Sequence, residues 1–311
     1  MATADFKDRL LECLGGPWPE SGPLQTRTVE TRSQDGYRME LLSYLTEPDE
    51  RVTAWLLVPD GVSASKPAPG ICLWHQHNGQ WHLGKSEPAG LAGNEMHHTG
   101  VALAKEGYVV ICPDAWGFED REKGYRQKGG NLERFLFLQQ VVSGRCMAWK
   151  NILDMRRVVD LICTRPEVDT DHLGCYGHSM GSTHAWLVGP WEPRLKAIVG
   201  NCCLPTYDAI HEHNMLHCFP NFVPGIYEYG DIPDIAALIA PRALHLNLGE
   251  NDGGSPIKQA REGVQTIQRA YESMHAEDQF SYFIESDTGH VLSPKMWSQT
   301  RDFFERHLRN A

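Results

Sequence analysis

Residues 174–186 read GCYGHSMGSTHAW and contain the pattern Gly-x-Ser-x-Gly centred on Ser179. The preceding run HLGCYG (172–177) is typical of a buried strand, and SMGSTHAWLVG (179–189) predicts a helix. A strand that turns directly into a helix leaves little room for the backbone, so glycine suits positions 177 and 181. The serine then projects at the carboxyl end of the sheet. The stretch therefore predicts a nucleophilic serine rather than a simple glycine-rich bend.

Strands and helices alternate on both sides of this stretch. This predicts an α/β fold class, with parallel βαβ units and helices on both faces of one sheet. Buried strands are predicted at 70–75, 108–114, 172–177, 195–201, 243–250 and 280–286, and helices at 96–107, 135–163, 179–189, 255–274 and 294–308.

The N-terminal part has a different pattern. A short amphipathic helix at 5–14 and a linker are predicted within residues 1–25, followed by antiparallel strands at 26–34, 37–45 and 52–59. Residues 202–241 show no clean period and predict an irregular insertion or cap that shapes a pocket. We expect one domain over 1–311.

A serine hydroxyl needs a base to become a nucleophile, and the base needs an orienting carboxylate. On a sheet of this kind the acid and then the histidine follow the serine along the chain. Asp252 lies in LNLGENDGGSP (246–256), just beyond a strand end, and is preferred to Glu250. His290 lies in FIESDTGHVLSP (283–294), where Asp287 is a weaker acid candidate. The sequence therefore predicts Ser179, Asp252 and His290 as a catalytic triad.

Two backbone N–H groups are expected to form an oxyanion hole. One is that of Met180 at the start of a helix, and the other is that of His77, with Gln76 as the alternative, in the loop after strand 70–75. Lys85 and Glu87 either pair and fix this loop or are solvated. The side chains expected to line the substrate pocket are Trp116, Phe118, Trp149, Tyr207, His213, Phe219, Phe222 and Tyr227.

The net charge of −11 argues against binding to nucleic acid, whose phosphates need a basic surface. The start MATADFKDRLLECLGG has no basic leader before an apolar core, and no run of about 20 apolar residues occurs. Nine scattered cysteines indicate reduced thiols. These features predict a cytoplasmic protein without a membrane anchor.

Several histidines raise the alternative of a metal site. They are His75, His77, His82, His97, His98, His211, His213 and His217. Their spacing fits no compact ligand set, and HEHNMLH (211–217) is not His-Glu-x-x-His. No metal is expected.

Six stretches together resemble a known family. They are PGICLWHQHNGQ with GKSEPAG, GYVVICPDAWGFEDR, RPEVDTDHLGCYGHSMGS, IAPRALHLNLGENDGGSP and DTGHVL, between about Lys66 and the C-terminus. On these the chain resembles α/β-hydrolases of the dienelactone-hydrolase-like group, and is similar to bacterial acetyl-esterases and prolyl-oligopeptidase-type catalytic domains. Dienelactone hydrolases proper have cysteine where this chain has Ser179.

The resemblance implies an α/β-hydrolase fold and a serine esterase without a cofactor. It carries over Ser179 as nucleophile, His290 as base, Asp252 as acid, and the backbone of His77 and Met180 as the oxyanion hole.

We expect hydrolysis of a carboxylic ester with a small or ring-containing acyl group. An amidase, thioesterase or acyltransferase on the same triad is the alternative. A non-catalytic binding protein is disfavoured because all three triad residues are present. The expected partner is a small-molecule substrate, and a homodimer is left open.

Overall fold

A mixed sheet of nine strands forms the centre of the computed structural model, which describes residues 3–310. Residues 1, 2 and 311, at the ends of the predicted domain, lie outside the described residues, and the single-domain organisation stays a prediction. The strands are Arg27–Gln34 (β1), Tyr37–Glu47 (β2), Glu50–Pro59 (β3), Ala68–Trp74 (β4), Val109–Pro113 (β5), Val168–His178 (β6), Leu195–Asn201 (β7), Ala243–Gly249 (β8) and Phe280–Glu285 (β9).

The strand order is β1-β2-β3-β5-β4-β6-β7-β8-β9. The pairs from β1 to β5 are antiparallel, and those from β5 through β4 to β9 are parallel. Antiparallel N-terminal strands thus precede a parallel core, as the sequence predicts. The carboxyl ends of β6, β8 and β9 meet at one edge of the sheet, so the loops that follow them come together.

Helices cover both faces of this sheet. They are Thr3–Leu14 (α1), Thr99–Lys105 (α2), Gly129–Val142 (α3), Met147–Cys163 (α4), Met180–Val188 (α5), Tyr207–Glu212 (α6), Ile232–Ala237 (α7), Ile257–Ser273 (α8) and Pro294–Phe304 (α9). Successive side chains of β5 enter different cores, because a strand points them alternately to its two faces. Ile111 belongs to the core cluster that includes residues of α1, α4, α5, α7 and α8, whereas Val110 belongs to the cluster that includes residues of α2 and α9.

The predicted long helix over 135–163 is wrong in one respect, because the structure has two helices there. The first, α3, begins earlier at Gly129 and ends at Val142, and α4 begins at Met147. Gly144 lies between them with φ +73°, a left-handed conformation that ends helices and favours glycine. The break at Gly144 lets the chain change direction between α3 and α4.

The insertion 202–241 is irregular, as expected, but it holds α6 and α7 and is anchored to the core. The Tyr207 hydroxyl donates to the carbonyl of Asn221 at 2.6 Å, and the side chains of Ile210 and Ile226 are buried. The insertion is therefore a fixed part of the fold rather than a loose surface excursion.

All nine cysteines are free thiols, in agreement with the scattered pattern of the sequence. Within residues 3–310, no helix combines the length and the apolar character needed to cross a bilayer.

Three fully buried histidines remain neutral in the folded chain. Burial lowers the pKa of His75 to about 4, of His184 to about 3 and of His245 to about 4. His245 shows how such a ring is held: its Nε2 donates to Asn247 Oδ1 at 3.1 Å, and its Nδ1 accepts from Ser281 Oγ at 2.8 Å. Both ring nitrogens are thus used by the neutral form.

These pKa values predict that stability falls as the pH drops from about 6.5 toward 4, because the unfolded chain takes up protons that the folded chain excludes. His245→Gln removes one such group. Between pH 6 and 4.5, the slope of unfolding free energy against pH should decrease by about 1.4 kcal/mol per pH unit. Urea denaturation at several pH values measures this slope. His211→Gln, at an exposed position, is the control, and equal slopes in the two variants would contradict the prediction.

Candidate active site

Ser179 occupies a tight corner between β6 and α5. Its backbone has φ 58° and ψ −119°, a conformation that residues other than glycine rarely adopt. A Cβ at Gly181 would lie 2.0 Å from the carbonyl oxygen of Trp74, and one at Gly177 would lie 2.0 Å from that of Gly181. Both positions therefore require glycine.

Ser179, His290 and Asp252 form one hydrogen-bonded chain. Ser179 Oγ lies 2.8 Å from His290 Nε2, and His290 Nδ1 lies 2.8 Å from Asp252 Oδ2. The other carboxylate oxygen of Asp252 accepts from the backbone N–H of Gly254 at 2.8 Å. The side chain of Asp252 is 1% exposed and that of His290 is 42% exposed. The acid is thus buried, while the imidazole is open to the solvent.

The two rival acids lie elsewhere. Glu250 faces Arg261, with 3.5 Å between Oε1 and Nη2. Asp287 is exposed and has φ +55°, as a turn residue. The structure brings the preferred Asp252 to His290.

His178, which precedes Ser179, packs between two other histidines. Its ring centroid is 5.2 Å from that of His290 and 4.7 Å from that of His97, on which it stacks. Asn201 Nδ2 donates to His178 Nδ1 at 2.7 Å. Burial lowers the pKa of His178 well below its usual range, and the neighbouring His97 and His290 act in the same direction. His178 therefore supports the imidazole of His290 as a neutral ring.

The loop after β4 lies against the start of α5, since a Cβ at Gly181 would be 3.1 Å from the carbonyl oxygen of His75. His77 Nδ1 accepts from the backbone N–H of Gly79 at 2.9 Å, so its Nε2 carries the proton and donates to Glu133 Oε2 at 2.9 Å. Gln76 donates to Glu87 Oε2 at 2.9 Å. The side chains of both candidate oxyanion-hole residues thus fix this loop in place.

Glu133 is a residue of the site that sequence reasoning missed. It lies on α3, is buried, and also accepts from Trp81 Nε1 at 2.8 Å. Its second oxygen, Oε1, has no hydrogen-bond partner among the described residues. A glutamate in the first half of an ordinary helix gives no signal in the sequence, because its partners come from a loop more than fifty residues away.

Lys85 and Glu87 are both buried, but they contact different partners. Lys85 Nζ lies 2.8 Å from Asp114 Oδ2, 2.7 Å from Glu119 Oε1 and 2.9 Å from Asp120 Oδ2. Burial opposes the charge of Lys85, but these carboxylates outweigh it and raise its pKa. The structure differs from both expectations, since the two residues neither pair with each other nor are solvated.

The three carboxylates around Lys85 form a group close enough to bind a metal ion. The ammonium of Lys85 lies within hydrogen-bond distance of all three and supplies the positive charge there.

Ser179 opens into a cleft of about 1280 Å³. Of the predicted pocket residues, Phe219 and Phe222 line it. Most of the other wall residues lie on or next to α3 and near residues 214–222, two come from the loop after β4, and Gly253 and Gly254 come from the loop after β8. The other wall residues include His77, Trp81, Glu133, Arg134, Phe137, Leu138, Leu216 and His217.

The other predicted aromatic residues are not brought to this cleft. Trp116 is buried in a cluster with Leu132 and Leu136, and Phe118 packs beneath the rings of His75 and His77. Their apolar contacts hold the loops from behind, so they support the cleft without lining it.

The four remaining predicted pocket residues also lie away from the cleft. Trp149 donates from Nε1 to the carbonyl of Gly16 at 2.8 Å, and Tyr207 is buried within the insertion. His213 is exposed at the end of α6, and Tyr227 packs against Tyr207.

Comparison with known proteins gives the family. The model of the Abhydrolase family matches residues 10–290. The chain belongs to this family. It is similar to "Putative hydrolase YtaP" of Bacillus subtilis (strain 168), with 28% identity over 279 residues that cover 88% of each chain.

Solved structures show the same fold. One is "a putative acetyl xylan esterase" from Bacteroides fragilis, with a TM-score of 0.73 and 15% identity over 91% of this chain and 74% of that one. Another is a glucuronoyl esterase from Solibacter usitatus, with a TM-score of 0.69 and 16% identity over 98% and 91% of the two chains. The predicted α/β-hydrolase fold is confirmed, and the dienelactone-hydrolase-like subgroup stays a prediction.

The environment of Lys85 predicts a large effect on stability. Lys85→Met should lower the unfolding free energy by about 3–5 kcal/mol, because it leaves three carboxylates without their shared cation. Urea denaturation at pH 7 measures the change. Lys105→Met is the control, because Lys105 pairs only with the exposed Asp35 and should show no measurable effect. Equal stability of the two variants would contradict the prediction.

Proposed function

We propose that the protein is a serine hydrolase that cleaves carboxylic esters through Ser179, His290 and Asp252. The hydrogen-bonded chain of these three side chains at the mouth of the cleft is the observation that carries the proposal. Strained backbone at a nucleophile is typical of catalytic serines on strand-to-helix corners. The structural relatives described as esterases support the choice of bond.

The reaction begins when Ser179 Oγ attacks the carbonyl carbon of the ester and His290 Nε2 takes its proton. Asp252 accepts from His290 Nδ1, so it fixes the tautomer and stabilises the imidazolium. The tetrahedral intermediate collapses, and His290 gives the proton to the leaving alcohol. Water, deprotonated by His290, then attacks the acyl-enzyme, and collapse of the second intermediate releases the acid and returns the proton to Ser179.

The backbone N–H groups of Met180 and His77 are the proposed donors to the oxyanion. Met180 is the first residue of α5, so its N–H belongs to the positive end of a nine-residue helix. The close approach of the β4 loop to this helix start supports His77, with Gln76 as the alternative. Fixed donors of this kind stabilise the charge that develops on the carbonyl oxygen.

Hydrolysis, rather than acyl transfer, is favoured by the exposure of the base. The side chain of His290 is 42% exposed and faces an open cleft. Water can therefore reach the acyl-enzyme beside the imidazole that activates it.

Replacement of the nucleophile gives the direct test. Ser179→Ala should lower kcat/KM for p-nitrophenyl butyrate by about 10⁴- to 10⁶-fold and abolish labelling by a fluorophosphonate. Ser143→Ala, at an exposed position, is the control and should retain both. If the wild type neither turned over the ester nor reacted with the probe, ester hydrolysis through Ser179 would be excluded.

Glu133 should affect the rate through the loop that holds His77. Glu133→Ala leaves the ring N–H of His77 and the indole N–H of Trp81 without an acceptor, so the loop loses its anchor. We expect kcat to fall about 10- to 100-fold. This decrease is smaller than or similar to the decrease in kcat that follows removal of one oxyanion donor. Glu133→Gln keeps a carbonyl acceptor and should recover part of the rate.

Steady-state kinetics on a short ester separates this effect from weaker substrate binding. Gln139→Ala on the exposed side of the same helix is the control. A rise in KM with unchanged kcat would instead assign Glu133 to ground-state binding.

A further inference from the structure

Given the ester hydrolysis proposed above, we infer that the substrate carries a long apolar chain. The chain lies in the cleft between the C-terminal half of α3 and residues 214–222. These two segments are called the apolar walls below.

The apolar walls face each other across the opening to Ser179. Phe137 and Leu138 come from α3, and Leu216, Phe219 and Phe222 come from the other segment. The rings of Phe137 and Phe219 stack with centroids 4.7 Å apart, which joins the two walls at one point. The cleft is thus continuous from the catalytic serine to its apolar rim.

The size of the cleft favours a long group over an acetyl group. Its volume of about 1280 Å³ exceeds the range of about 300–1,000 Å³ that is usual for small-molecule sites. An acetyl group would fill only a small part of it and would leave the apolar walls in contact with water. An alkyl chain would cover them, and burial of apolar surface from water is favourable.

The rim of the cleft exposes large apolar side chains. Leu216 is fully exposed and Leu138 is 51% exposed. Single exposed apolar residues are common, but these two flank the same opening and continue the apolar lining outward. They extend the surface available to a chain that leaves the serine.

The exposed polar residues that α3 and its N-cap contribute to the cleft lie toward the other end of this helix, while His217 is a polar residue on the opposite wall. Lys128 and Asn131 are near the N-terminus of α3, and Arg134 follows one turn later. The cleft therefore has a polar end and an apolar end along one helix. This division directs an apolar chain toward Phe137 and Leu138.

A chain-length series of esters tests the inference. The substrates are p-nitrophenyl acetate, butyrate and octanoate, all below the concentration at which they aggregate. A fully buried methylene contributes about fourfold to binding, and a half-open cleft gives less. We expect kcat/KM to be at least about tenfold higher for the octanoate than for the acetate. Octyl acetate compared with ethyl acetate shows whether the chain belongs to the acyl or the alcohol part, and preference for either long form supports the inference.

Variants at the rim locate the effect. Leu138→Gln and Leu216→Gln change exposed side chains, so folding should be retained. Each should lower the octanoate-to-acetate ratio of kcat/KM by about 3- to 10-fold. Val142→Gln is the matched control, because Val142 is 88% exposed on the same helix but does not line the cleft. Its ratio should equal that of the wild type.

Three results would overturn the inference. Equal or lower kcat/KM for both long esters, with clear turnover of the short ones, would reject the apolar chain and leave the proposed ester hydrolysis intact. A loss of chain-length preference in Val142→Gln equal to that in Leu138→Gln would also reject it. The third is the absence of a chain-length preference together with a dimer, detected by light scattering, that Leu216→Gln dissociates. A second copy of the chain would then cover the apolar walls. Absence of turnover of every ester, together with absence of fluorophosphonate labelling, would instead reject the proposed function itself.

Discussion

The site depends on one steric constraint, the contact between the first turn of α5 and the end of β4. No side chain fits between Gly181 and the carbonyl of Trp74, so the two backbones pass at the closest distance that the chain allows. This closeness sets the positive φ of Ser179 and brings the loop of His77 beside the helix start. A strained residue costs of order 1–3 kcal/mol, and it persists only where the surroundings hold it. Here β6 lies inside the sheet between β4 and β7, and the Ser179 N–H donates to Asn201 of the neighbouring strand.

The charges around this corner are arranged in separate groups. The buried carboxylate of Asp252 faces His290. The rings of His178 and His97 stack on the far side of the His290 imidazole, and burial lowers the pKa of both so that they stay neutral. The carboxylates near the β4 and β5 loops are matched by Lys85 instead. Lys85 is shared by Asp114, Glu119 and Asp120, whereas Asp252 has His290 and the backbone N–H of Gly254 as its partners. The charge pairing of the proposed catalytic residues is thus kept apart from that of the structural ion pairs.

The sequence predicted the strands because these follow from local order, and the same order explains why the three side chains of the proposed triad could be picked out. Ser179, Asp252 and His290 lie in the segments that follow β6, β8 and β9, and parallel strands bring such segments to one edge. The pocket was harder to predict. Trp149 and Tyr207 are large aromatic side chains like Phe222, and only the packing of distant segments decides which rings are buried and which face the cleft. The role of Glu133 and the break at Gly144 also depend on the packing of distant segments, since α3 faces the site only because it is separate from α4.

The position of α3 outside the sheet affects which substitutions this chain can accept during evolution. The three residues of the proposed triad lie just beyond the ends of strands, whereas both apolar walls lie on segments outside the sheet. Under the proposed function, substitutions in α3 and in residues 214–222 would alter the range of substrates while Ser179, His290 and Asp252 keep their geometry. Glu133 sets a limit on this freedom, because it ties α3 to the loop of His77. A drift of the helix that widened the cleft would also move the loop next to Ser179, so under the proposed function substrate range and rate would be inherited together on this one helix.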